Sequence, residues 1–311
     1  MPEFGPHERP VTFPSAGLVL AGTFAVPEAG RRLPVVLLLP GSGQTDRDDN
    51  AKKVAINAFP PLVEALGHIG VATLRYDKRG VGASQGEYWR SGFDDRLADA
   101  VAAVEWLRAQ PEVDPARIFV LGHSEGALIA IRMAAGAAPV AGILLVAGAA
   151  KTGEETLRWQ GRQIAASLTG FPKLVLRVLR IDPLRAQEKS IARLKASTGD
   201  TVRVQLVQKL NAKWMREFMA YHPAPDLARV RVPVLAITGA KDIQVDPADL
   251  DRMVDLVPGP VEAHRVPDLT HLLRAEQGAP SLQTYKRQAK EPVDPRVIDL
   301  VCTWLKEHIG T

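Results

Sequence analysis

Short apolar runs recur along the chain, separated by stretches in which apolar residues return every three or four positions. "VVLLLP", "VATLRYD", "RIFVLGHS", "GILLVAG", "VPVLAITG" and the more polar "VEAHRVP" have strand length, and most are apolar on both faces, as buried parallel strands are. Ahead of them, "VTFPSAG" and "LVLAGTFAV" read as an opening antiparallel pair. Between the runs, "RLADAVAAVEWLRAQ" sets Leu97, Val101, Val104 and Leu107 on one helical stripe, and "PADLDRMVDLVPG" does the same with Leu250, Val254 and Val257. Strands alternating with amphipathic helices predict an α/β fold: a mostly parallel central sheet with helices on both faces.

The alternation breaks after "LLVAGAA". From 151 to 229 only helical patterns are read, among them "ETLRWQGRQIAASL", "KLVLRVLR" and "RVQLVQKLNAKWMREFMAY". This predicts an inserted helical cap over 151–229 and a core domain formed by 1–150 together with 230–311. The segment holds fifteen Lys and Arg against seven Asp and Glu, so the basic excess of a chain with net charge +4 resides there. In "FPKLVLRVLRI", Lys173, Arg177 and Arg180 share one helical face, and Leu174, Leu176, Val178 and Leu179 occupy the rest. Such a helix suits weak contact with an anionic surface or the steering of an acidic substrate. The plainer expectation is that its apolar side covers the site while its charges face water.

With 311 residues, 46% apolar and 24% charged, the composition is that of an ordinary globular protein. No apolar run reaches the roughly eighteen residues of a membrane span. The opening "MPEFGPHERP" lacks the basic end and apolar run of a secretory signal, and a cytoplasmic location is expected. The single cysteine, Cys302, excludes an internal disulfide and is expected in the core. No phosphate-binding glycine motif follows a strand, so no nucleotide cofactor is expected; a lone cysteine excludes a cysteine-based zinc site, no metal is expected, and nothing points to nucleic acid.

Chemistry concentrates at "GHSEG", residues 122–126, between the strand-like "RIFVL" and the helix-like "ALIAIRMAA". A G-x-S-x-G sequence at a strand-to-helix turn lifts the serine hydroxyl clear of the sheet. A serine is a weak nucleophile at neutral pH, so Ser124 needs a base, and the base needs a carboxylate to hold its tautomer. Asp242 follows the strand "VLAITG", and His271 follows "VEAHRVP"; both fall where open α/β sheets place their sites. Their plain readings are a turn residue and a surface-loop histidine. Asp246 is a second candidate acid, though its place before Pro247 suits a helix cap. His123 is expected to point away from the chemistry.

A tetrahedral intermediate needs two N–H donors. Glu125, directly after the serine, is one candidate, and Ser42 in "GSGQTDRDDN" is the other, with Gly43 and Gln44 as neighbouring choices that would also face substrate. Asp46, Arg47, Asp48, Asp77 and Arg79 are expected to pair and brace their loops. In the cap, Trp159, Trp214, Phe218 and Tyr221 are expected to line an apolar acyl pocket.

With "GHSEG" in that context, "YDKRGVGAS" after a strand, and Asp242 and His271 in chain order, the sequence resembles the α/β-hydrolase superfamily. "LLLPGSGQTDRDD" is similar to the bacterial esterase branch related to dienelactone hydrolases and prolyl-oligopeptidase catalytic domains. Pro40-Gly41 stands where many of its members carry His-Gly. The resemblance implies an α/β-hydrolase fold and a serine carboxylic-ester hydrolase acting on small to medium acyl esters through an acyl-enzyme. A thioesterase or small-peptide peptidase would use the same residues; an acyltransferase or lyase would share the scaffold. The expected partner is a small-molecule ester, and the oligomeric state is left open.

Overall fold

The computed structural model describes residues 7–27, 32–52, 54–204 and 208–310. Strands β1 (His7–Ser15) and β2 (Leu18–Val26) open the chain, followed by β3 (Leu33–Leu39), α1 (Pro60–His68) and β4 (Ala72–Tyr76). Next come α2 (Phe93–Arg108), β5 (Val113–His123), α3 (Glu125–Arg132) and β6 (Gly142–Val146). Between β6 and β9 lie α4 (Gly153–Ser167), α5 (Gly170–Val178), α6 (Pro183–Ala196), the antiparallel pair β7 (Thr201–Val204) and β8 (Gln208–Asn211), α7 (Ala212–Ala220) and α8 (Pro223–Leu227). The chain ends with β9 (Val234–Gly239), α9 (Asp249–Leu256), β10 (Val261–Val266), α10 (Tyr285–Gln288) and α11 (Pro295–Ile309).

Eight strands form one sheet in the order β1-β2-β4-β3-β5-β6-β9-β10. It is parallel from β4 to β10 and antiparallel where β1 meets β2 and β2 meets β4. The chain leaves β3 toward β4 on one side, then crosses back to β5 on the other. The loops after β3 and β5 therefore face each other at the carboxyl edge, the switch point at which open sheets bind ligands.

Alternate residues of each central strand feed opposite layers. Leu37 and Val120 pack under α2 and α3 with Val104, Leu107 and Ile131. Val36, Leu38 and Phe119 pack on the other face against α1 and α11, with Leu62, Leu66, Val301 and Trp304. Cys302 is half-buried against this second layer, and burial pushes its thiol pKa up.

Two stripes are rotated from their expected phase. In α9 it is Leu250 and Met253 that are buried, with Val257 just beyond the helix, while Val254 is exposed. In α2 the buried face runs through Phe93, Ala100, Ala103, Val104 and Leu107, leaving Leu97 and Val101 partly buried at its edge. Small alanines let that face approach the sheet closely, which a count of large apolar residues overlooks.

The segment between β6 and β9 corrects the all-helical expectation, because β7 and β8 pair within it. Alternation places Val202 and Leu210 against a small core of Ile191, Leu194, Ala212 and Met219. Helix α7 starts only at Ala212, where Asn211 accepts the Trp214 N–H at 2.9 Å. The expected burial of the "KLVLRVLR" helix is also overturned. No described side chain of α5 is buried, and Phe171, Leu174, Val178 and Leu179 are all more than half exposed. α8 packs on α3, and Leu227 and Val230 join the main core.

Candidate active site

The turn from β5 into α3 holds Ser124 at φ 54°, ψ −109°, a region that L-residues rarely adopt. Its N–H is fixed to Val146 O at 2.8 Å. The turn is tight because Gly126 lies against β3: a Cβ there would sit 2.1 Å from Leu39 O. The strain is carried by close helix–strand packing, and it leaves the hydroxyl at the carboxyl edge.

Asp242 and His271 converge from two loops. His271 Nδ1 is 2.7 Å from Asp242 Oδ2, with both side chains buried. Asp242 Oδ1 accepts the N–H groups of Gln244 (2.7 Å) and Val245 (2.9 Å), so its carboxylate is oriented by the turn after β9. The His271 loop is pinned by Arg274, which donates to the carbonyls of Leu272 (2.7 Å), Ile56 (2.5 Å) and Glu291 (3.0 Å). Burial pulls that guanidinium down to about 10. Ser124 and His271 share the walls of one cavity of about 180 Å³, together with Ser42, Gln244 and Tyr285. No hydrogen bond joins Ser124 to His271 among the described residues, a contact that often tightens only around substrate.

The loop after β3 reaches the serine from the other side. A Cβ on Gly41 would lie 3.6 Å from Ser124 Cβ and 3.2 Å from His123 Nδ1, so the loop packs closely on the serine turn and a side chain there would crowd the His123 ring. Thr45 Oγ1 donates to Gly41 O at 2.9 Å, and buried Lys78 donates to the same oxygen and to Glu125 Oε1 at 2.8 Å. The Lys78 ammonium is pulled below its usual range by burial, against the opposing pull of Glu125. The Ser42 N–H makes no hydrogen bond among the described residues. Glu125 is the first residue of α3, where an N–H has no acceptor inside the helix. Both donors border a small cavity of about 70 Å³ beside Ser124.

Trp214 and Phe218 of α7 stack at 4.9 Å and wall that cavity with Leu128, Leu157 and Val245. Gly43 and Gln44 border a wider recess of about 590 Å³ with Tyr88, Trp89 and Lys209. Trp159 and Tyr221 are not brought to either wall. Tyr221 instead packs at a tilt against Phe93 and donates to Asp226 Oδ2 at 3.0 Å, so it serves packing. Asp246 is held by Lys151 at 2.5 Å and accepts the Ala248 N–H at 3.0 Å, ahead of α9. The loop charges pair internally: Arg47 with Asp77, Arg75 with Asp48, and Arg79 with Asp95 and Asp99.

Sequence reasoning missed Asp49 and misplaced His123. His123 is buried in the site's floor, bonded to Asp49 Oδ2 at 2.6 Å and to the carbonyl of His271 at 3.0 Å. The one available signal was a buried-strand histidine beside an acidic loop, which does not specify a pair.

A sheet with this switch point and this strand–serine–helix turn defines an α/β-hydrolase fold. Residues 55–278 match the profile of the serine aminopeptidase S33 family, and the chain belongs to that family. The esterase EstD of Thermotoga maritima is 27% identical over 288 residues, which is 92% of this chain and 65% of the relative. The chain thus spans a little under two thirds of that curated relative's length. An uncharacterized protein of Mycobacterium tuberculosis, MT2364, is 36% identical over 128 residues, 41% of each chain. Among solved structures, Est1E of Butyrivibrio proteoclasticus with ferulic acid bound superposes with TM-score 0.66 at 18% identity, covering 97% of this chain and all of that one. Esterase Pf2001 of Pyrococcus furiosus gives 0.64 at 18% identity, covering 98% and 92%.

Proposed function

We propose that the protein is a serine carboxylic-ester hydrolase working through an acyl-enzyme. Ser124 attacks the ester carbonyl, His271 takes its proton and passes it to the leaving alcohol, and Asp242 holds the imidazole with Nε2 facing the serine. The N–H groups of Ser42 and Glu125 receive the oxyanion. Water, activated by His271, then attacks the acyl carbonyl and releases the acid. The observation that carries the reading is the buried 2.7 Å contact of Asp242 with His271 beside a serine at positive φ.

The two small cavities suggest which part of the substrate goes where. A base that protonates the leaving oxygen must be next to it, so the cavity that His271 borders suits the alcohol. The narrow space walled by Trp214 and Phe218, about 70 Å³, then takes the acyl chain and suits a short one. The segment from 151 to 229 acts in this reading as a cap that roofs the serine and excludes water.

The relatives named esterases favour an ester over the peptide implied by the family's name. Initial rates on p-nitrophenyl butyrate for the native protein and Ser124→Ala test this. Loss of activity in a folded variant is expected; a rate within twofold of native would reject Ser124. Equal turnover of a matched thioester would shift the reading toward a thioesterase, and product partitioning toward an added alcohol toward an acyltransferase.

We also infer weak contact of the cap with an anionic membrane surface. On α5 and the turn after it, exposed Phe171, Leu174, Val178 and Leu179 stand among Lys173, Arg177 and Arg180. Apolar residues ringed by cations complement anionic headgroups above acyl chains. Among the described residues no helix is long and apolar enough to cross a membrane.

A further inference from the structure

Both chain neighbours of Ser124 are buried ionisable residues, and their partners grip the same glycine. Lys78, paired with Glu125, donates to Gly41 O; Asp49, paired with His123, accepts the Gly41 N–H on Oδ1 at 2.8 Å. The His123 side adds a third tie, from its Nε2 to the main-chain carbonyl of His271 at 3.0 Å. One imidazole thus connects the loop after β3, the serine turn and the loop after β10, which are 74 and 148 residues apart in the chain.

Hydrogen counting fixes one side of that ring. A carbonyl oxygen only accepts, so Nε2 carries a hydrogen. Asp49 accepts the Gly41 N–H on Oδ1, and its Oδ2 lies 2.6 Å from Nδ1, so one hydrogen sits between them: held by Nδ1 the pair is ionic, held by Oδ2 it is neutral. In the ionic form the ring is an imidazolium, buried and neutralised by Asp49. Burial is the strongest influence on it and opposes the charge, but the Asp49 charge and hydrogen bond outweigh it and raise its pKa. Asp49 is held at φ 64°, an unfavoured backbone state of the kind found at functional sites. The rings of His123 and His271 are 5.1 Å apart, and both nitrogens of His123 are engaged, by Asp49 and by the His271 carbonyl, so the ring braces the base loop.

We propose that Asp49 and His123 form a second, charged Asp–His pair that acts as a positioning device, setting the Ser42 N–H and the His271 main chain relative to Ser124. It touches no reacting atom. The proposal deepens the hydrolase reading above and rests on it for its kinetic consequence.

Nitrogen-15 NMR of the native protein, labelled at histidine, reads the ring directly. At pH 7, above the ordinary histidine value of 6.5, the His123 ring is expected to carry hydrogen on both nitrogens, and that signal is lost in His123→Gln. In Asp49→Asn the amide can accept from Gly41 and donate to Nδ1, so every hydrogen bond survives around a neutral ring with one hydrogen. A singly protonated His123 in the native protein overturns the charged pair.

Kinetics on p-nitrophenyl butyrate read the positioning. His123→Gln is expected to lower kcat by roughly thirtyfold or more, since a displacement near 1 Å can cost about a hundredfold, with KM changed by less than about threefold. Asp49→Asn, with its frame kept, should lose only about three- to tenfold. A folded His123→Gln protein with kcat within twofold of native overturns the positioning role. Should Ser124→Ala prove as active as the native protein, the hydrolase reading fails, while the NMR result still decides the pair.

Discussion

Asp242 binds His271 with one oxygen and the turn that carries it with the other: Oδ2 lies 2.7 Å from His271 Nδ1, and Oδ1 accepts the N–H groups of Gln244 and Val245. The carboxylate therefore cannot rotate without losing backbone bonds. An imidazole bonded this way through Nδ1 presents Nε2 to its other side, the tautomer a serine needs. Asp242→Asn keeps the size but offers an amide where an acceptor is required. It is expected to lower kcat about a thousandfold or more with the fold intact, measured by steady-state kinetics beside circular dichroism. A loss under tenfold would place the acid elsewhere.

Acyl length should follow the space under the two stacked rings. Rates on p-nitrophenyl esters from acetate to laurate are expected to peak at short chains and fall steeply beyond butyrate or hexanoate. Trp214→Ala removes one wall and should move the peak to longer chains. A native preference for laurate would mean that the acyl group uses the wide recess beside Tyr88 and Trp89 instead.

The Arg47–Asp77 pair gives an acid-side signature of stability. Asp77 accepts from Arg47 N (3.0 Å), Nε (3.1 Å) and Nη2 (2.6 Å) and from the Ala83 N–H (2.9 Å). Burial would raise its pKa, but these bonds outweigh it and hold the carboxylate below its ordinary 3.8. A depressed folded pKa contributes stability that is full above the unfolded value and lost as pH falls through the folded one. Asp77→Asn should therefore cost about 3 kcal/mol at pH 7, a penalty that shrinks below pH 3.8. Urea melts of both proteins from pH 7 to pH 3 measure it; a constant penalty would refute the ionic account.

Surface contact through α5 is read by co-sedimentation with vesicles. Binding is expected to phosphatidylglycerol vesicles at low salt and not to phosphatidylcholine, and to weaken as salt rises. Lys173→Glu with Arg177→Glu and Arg180→Glu should abolish it and leave p-nitrophenyl butyrate turnover unchanged. No binding to the anionic vesicles would leave the exposed apolar residues to another partner.

Much of the fold was legible along the chain, because buried parallel strands such as Leu33–Leu39 are apolar throughout and helices such as α2 keep a repeating stripe. Phase was less legible: Met253 and Val254 are adjacent and both apolar, and only packing decides which faces inward. The β7–β8 pair escaped because "TVRV" is four residues long and abuts a helix-like pattern. The exposure of α5 escaped because an amphipathic pattern states that a face is apolar, not that anything covers it. In the site, Ser124 stands out through its glycines and flanking elements, and Asp242 and His271 through their places after strands. The Asp49–His123 bond spans 74 residues of chain and has no local pattern, so only the folded arrangement reveals it.

The most direct test of the account is to trap the acyl-enzyme. The native protein, mixed with p-nitrophenyl butyrate, quenched in acid within milliseconds and digested, should yield a peptide heavier by one butyryl group, with the modification on Ser124. Butyrylation of any other residue, or turnover of the native protein with neither a p-nitrophenol burst nor a covalent intermediate, would contradict it.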